Sequence, residues 1–132
     1  TEVAGTISQP GSGDTVEALF RNAMLAMVDC MTGADAVRPR DRKTLSVEAS
    51  DLEGLMVEWL SEVNFLVQTE DFLPAEAKVL IEDERKLSAR LEGETIDPQR
   101  HLFKTEIKAV TFHQLKISRD SGGLHARIIF DL

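Results

Sequence analysis

Aromatic residues are scarce in this chain: its 132 residues include six Phe, one Trp and no Tyr. Proteins that stack successive nucleobases need more aromatic surface than that. Cysteine is scarcer still. Cys30 stands alone, which excludes an internal disulfide and a zinc cage built on cysteines and fits a reducing, cytoplasmic compartment. It falls within a helical apolar pattern, so a buried, inert thiol is expected. No stretch reaches the roughly 18 consecutive apolar residues of a membrane span, and the N-terminus lacks the basic-then-apolar order of a signal peptide. No membrane association is expected. Basic residues are outnumbered: 15 Lys and Arg face 23 Asp and Glu, for a net charge of −8. Such a surface repels phosphate backbones, so no direct nucleic-acid binding is expected. It suits solubility, a basic protein partner or a cation.

What is present reads as one domain over residues 1–132, with 42% apolar and 29% charged residues and a core of its own. There is no repeat, low-complexity tract or dividing linker. Glu2 to Ser8 reads as a strand, and Pro10 to Gly13 as a turn. Asp14 or Thr15 then caps a helix whose Val16, Leu19, Phe20, Ala23, Met27 and Met31 share one face, with Gly33 as its stop. At that spacing the methionines are core residues. Thr44 to Ala49 alternates as a half-buried strand. Ser50 with Glu53 has the spacing of a capping box. It opens a second helix, whose stripe runs Leu52, Leu55, Met56, Trp59, Leu60, Val63, Leu66 and Val67. Strands follow around Ala77–Ile81 and Leu87–Leu91, joined by a turn at Asp83 to Lys86. A loop holding Asp97, Pro98 and His101 comes next, then strands at about Glu106–Ser118 and Leu124–Asp131.

Two amphipathic helices cannot bury their stripes on each other and also cover both faces of a sheet. The expectation is therefore α+β: two layers, with both helices packed on one face of a mixed β-sheet. The other face is left solvated or free for contact.

The last two strands carry the candidate site. Odd positions Ile107, Ala109, Thr111, His113, Leu115 and Ile117 form an apolar row that Thr111 and His113 interrupt, with Lys108 close by. A half-buried His needs partners, so His113 is either a satisfied structural histidine or a positioned functional one. Setting Arg119 opposite Leu124 pairs Ile117 with Ala126, Leu115 with Ile128 and His113 with Phe130, and a one-residue slip would destroy that match. Asp131 then faces Phe112, away from His113, and Thr111 faces Leu132. A bulge near the end of the hairpin would change both. Asp131 and a terminal Leu132 would set two carboxylates within one residue, a pair whose repulsion a hard cation such as Ca²⁺ or Mg²⁺ relieves. A frayed, solvated end is the alternative.

The segment Thr105-Glu106-Ile107-Lys108-Ala109-Val110-Thr111-Phe112-His113 resembles the signature of archeases, and Ile129-Phe130-Asp131-Leu132 resembles the way they end. Gly13-Asp14-Thr15-Val16-Glu17-Ala18-Leu19-Phe20, Met31-Thr32, Asp51-Leu52-Glu53, Glu58-Trp59-Leu60, Gly93-Glu94 and Asp97 to His101 also fit, in order along nearly the whole chain. The resemblance implies an archease-like fold and a non-enzymatic partner of the GTP-dependent RNA-splicing ligase of the RtcB type. It implies help with ligase guanylylation and repeated turnover in tRNA splicing and RNA repair. It also implies a divalent metal (calcium or magnesium) held by an N-terminal Asp, the Asp of the closing motif and the last residue. The last two carry over to Asp131 and Leu132. The first does not: an ungapped reading puts Thr6 at that position, and a gapped one falls on Thr1, Glu2 and Val3.

Two further readings stay open. One is a divergent adaptor or chaperone-like protein with a degenerate metal site. The other is an enzyme using His113, His101 and Asp97, for which no nucleophile elbow, phosphate loop or paired-histidine motif is present.

Overall fold

Thr15 starts the first helix: its hydroxyl accepts the Ala18 N–H at 3.0 Å, a side-chain cap on otherwise orphaned donors. Helix α1 runs Val16–Met31. The second cap sits one residue later than the sequence suggests. Asp51, not Ser50, accepts the Gly54 N–H at 2.7 Å and opens α2, Leu52–Glu70. Asp71 closes α2 in the left-handed conformation (φ 52°). The computed structural model describes residues 2–9, 15–32, 37–101, 103, 106–120 and 123–131, with the backbone alone at 2–9, 111–114, 119 and 120. Asp14, Gly33 and Leu132 lie outside the described residues.

The strands are β1 (Glu2–Gln9), β2 (Asp41–Glu48), β3 (Phe72–Glu82), β4 (Lys86–Thr95), β5 (Ala109–Asp120) and β6 (Gly123–Asp131). The α+β class stands, with two amphipathic helices on a β layer. That layer is more divided than a single mixed sheet. It forms two three-stranded sheets, β1-β6-β5 and β2-β4-β3, with every pairing antiparallel. The two share one plan: a strand, a helix, then a hairpin whose far strand takes the centre. The strands that a crossover links therefore run the same way but never pair directly. The second unit is nested between α1 and β5.

Both helices touch both sheets; β3 is the single strand that α1 touches most and β5 the single strand that α2 touches most. Their stripes form the core. Phe20, Met24, Met27, Met56, Trp59 and Leu60 are fully buried, each worth about 1.5–3 kcal/mol of apolar burial. The methionines and Trp59 are core residues, as expected. Trp59 Nε1 donates to the Phe20 carbonyl at 2.9 Å, tying one helix to the other. Cys30 departs from expectation: it is only half-buried on α1, because it falls beside the buried Met27 and Met31 stripe rather than within it.

Gly93 shows how tightly β3 closes on β4. A Cβ there would meet the Leu73 carbonyl and lie 2.8 Å from Pro74 Cα, beside a register shift between Pro74 and Glu76. Proline, which has no N–H to give the ladder, is tolerated at such a bulge on an edge strand.

Candidate functional site at the end of the last strand

Asp131 ends β6, the central strand of its sheet, and so has a neighbour on either side. Glu2 of β1 and Ala109 of β5 both pair with it. The Asp131 side chain is half-buried, and its carbonyl accepts the Lys108 N–H at 2.7 Å. Two acidic residues thus share one cross-strand row, an arrangement that like charge disfavours unless a cation intervenes. Carboxylate oxygens such as those of Asp131 belong to the ligand type that Ca²⁺ and Mg²⁺ take. Among the described residues no group of three or more His, Cys, Asp or Glu could hold a metal.

The predicted hairpin register holds near the turn, where Arg119 pairs with Leu124 and Ile117 with Ala126. It then shifts between Thr111 and Lys116. Residues 112–115 stand opposite Ile128 alone, so the expected pairings of Leu115 with Ile128 and His113 with Phe130 do not form. Beyond the shift Asp131 faces Ala109 rather than Phe112, and Thr111 faces Ile129 rather than Leu132. The cause is parity. An odd number of extra residues turns the strand over, so Val110 is buried while Ala109 is exposed, the reverse of the expected row.

Of the residues singled out in the sequence, Lys108 is exposed beside Asp131. Thr111 lies two residues into β5, and His113 lies within the shifted stretch; their side chains are outside the described residues. Thr6 pairs with Arg127, roughly 13 Å along the strand from the Glu2–Asp131 pair. The structure therefore brings Glu2, not Thr6, to Asp131. Only the gapped reading touched that position.

Two clamps fix the approach to this site. Asn64 and Gln68 of α2 both donate to the Ile107 carbonyl, at 2.8 and 2.7 Å, just before β5. Asn64 Oδ1 is buried without a partner. Exposed Phe65 and Phe103 flank this clamp, and Phe103 borders a groove of about 450 Å³. The second clamp is Glu94, which is 4% exposed. It receives Arg100 at 2.7 and 2.8 Å and the Arg38 N–H. The Arg100 guanidinium, outweighing the cost of burial, holds the Glu94 carboxyl down at about 2. His101 is buried, with Nδ1 accepting the Asp97 N–H at 2.8 Å and Nε2 lying 3.5 Å from Glu94. Asp97 accepts the Gln99 N–H at 3.0 Å. His101 and Asp97 thus fold the loop after β4 and present no open catalytic pair.

Comparison with known proteins agrees with this architecture. The family model described as the Archease protein family (MTH1598/TM1083) matches residues 7–132. The archease of Methanosarcina mazei is 36% identical over 124 residues, covering 91% of this chain and 85% of the relative. That of Methanopyrus kandleri is 38% identical over 122 residues, covering 90% and 87%. The solution structure of Methanobacterium thermoautotrophicum protein 1598 superposes with a TM-score of 0.74 at 29% identity, covering 99% of this chain and 91% of that one. A Thermotoga maritima archease described as a possible chaperone shares the fold, with a TM-score of 0.64 at 20% identity and coverage of 98% and 90%.

Proposed function

The chain belongs to the archease family, and from that premise we propose that it activates a GTP-dependent RNA-splicing ligase of the RtcB type without being an enzyme itself. It promotes guanylylation of the ligase and its repeated turnover in tRNA splicing and RNA repair. The register that sets Glu2 opposite Asp131 at the end of β6 is the observation that supports this reading. Asp131 and Leu132 are the metal ligands, and Glu2, paired with Asp131, supplies the carboxylate that Thr6 lacks. A bound Ca²⁺ or Mg²⁺ would contribute a fixed positive charge to an otherwise acidic edge. Lys108 ties the start of β5 to Asp131, and the Asn64–Gln68 clamp holds that junction still. The net charge of −8 favours docking on a basic, nucleotide-binding enzyme over direct RNA binding.

The decisive assay measures ligase guanylylation and turnover number with and without this protein. Stimulation by wild type, reduced at least about tenfold in Asp131→Asn, is expected. No effect of wild type on either quantity sinks the proposal. Calorimetry with Ca²⁺ and Mg²⁺ separates the ligands: Glu2→Gln should weaken binding, whereas Thr6→Val should not.

Thr6 also favours a second reading, a metal-independent adaptor of chaperone-like character, since the ungapped position has no carboxylate. Full activation in the presence of a chelator, and by Asp131→Asn, is the result that reading requires.

A further inference from the structure

The outer face of sheet β2-β4-β3 points away from the helices and is read row by row across the strands. In one row Lys86 stands between Glu48 and Glu82. In another Arg42 faces Glu92, while Glu76 on the far side is held by Arg21, with Nη2 to Oε2 at 2.7 Å. Both rows balance or exceed their positive charge. The row between them does not: it reads Thr44, Arg90, Lys78, with two cations directly opposed. Like charges in that position are destabilising, and they stand here in a chain with an excess of carboxylates. Among the described residues no carboxylate lies within ion-pair distance of either. Arg90 Nε is buried with no hydrogen-bond partner, although a donor in that state costs free energy. The next row adds the exposed hydroxyls of Ser46 and Ser88, then Leu80, which is 69% exposed. These side chains line a groove of about 370 Å³.

We propose that this groove is a phosphate-binding site, with the anion between Arg90 and Lys78 and the hydroxyls of Thr44, Ser46 and Ser88 around it. A guanidinium offers paired donors to a phosphate, and Lys78 adds a point charge. Leu80 borders the groove and gives an apolar surface to the organic part of a phosphate monoester. The site lies on a different sheet from Asp131, so it stands or falls independently of the ligase reading.

The test is a titration of isotope-labelled full chain with inorganic phosphate and with AMP, against chloride at matched ionic strength, followed by amide chemical shifts. Shifts are expected at Thr44, Ser46, Ser88 and Arg90 and not at Asp131. Affinity should fall about tenfold in Arg90→Gln and again in the exposed variant Lys78→Gln, which leaves the fold intact. Tighter binding of AMP than of phosphate, lost in Leu80→Ser, assigns the site to an organic phosphate. Equal binding assigns it to the free anion. Shifts that persist in both charge variants, or that spread over the whole surface, overturn the proposal. So does a response to single-stranded RNA with none to either small probe.

Discussion

Glu94 carries its charge where water barely reaches it, and Arg100 makes that tolerable. Its carboxyl, held at about 2 against an ordinary 4.5, lies below its unfolded value. The stability it contributes is therefore complete above about pH 4.5 and is lost as the pH falls from there towards 2. Glu94→Gln should cost about 2 kcal/mol at neutral pH and flatten the dependence of denaturant midpoint on pH across that interval. Gly93, the residue before it, should not tolerate a methyl. Gly93→Ala should cost about 2 kcal/mol or more by pressing on Leu73 and Pro74, readable in the same titration. Neither role was legible in the sequence. Glu94 lies at the end of β4 and Arg100 beyond it, so no periodicity within one element relates them, and only the folded loop joins them. Asn64 did leave a signal, as an amide beside Val63 in the apolar stripe of α2. Its bond to Ile107, 43 residues away, did not.

At the scale of elements, periodicity located both helices and the existence of every strand, although β3 begins at Phe72, well before the expected Ala77. The cap of α2 was misplaced by one position because Ser50 and Asp51 are both good caps, and only Asp51 makes the bond to Gly54. Asp51→Ala should lower stability by about 1 kcal/mol, with Ser50→Ala nearly silent, as thermal melts would report. The β5–β6 hairpin was legible from its turn as far as Ile117. The shift beyond was hidden because apolar residues continue at both parities, with Val110 and Phe112 beside Ile107 and Leu115. Amide hydrogen exchange should find residues 112–115 less protected than 116–118. Uniform protection along β5 would contradict the shifted register.

Across the whole molecule, each helix packs on both sheets, α1 on β3 as well as on β1 and β6, and α2 on β5 as well as on β2, β3 and β4. Neither unit keeps its cover if the other opens. Unfolding should thus be a single transition, with the fluorescence of buried Trp59 and the far-ultraviolet dichroism coinciding. Two separated midpoints would refute it. The order of elements was readable from the chain, but the pairing of β1 with β6 was not, since contacts between its two ends leave no local mark. That pairing also imposes a timetable on biosynthesis. Residues 2–9 are synthesised before the inner sheet, yet their strand partner, 123–131, is synthesised after it. The inner sheet can assemble while translation continues, whereas the row of Glu2 and Asp131 cannot form until β6 has been made. A chain cut short before β6 therefore lacks this cross-strand row altogether, and the surface it forms appears only once that strand has been made.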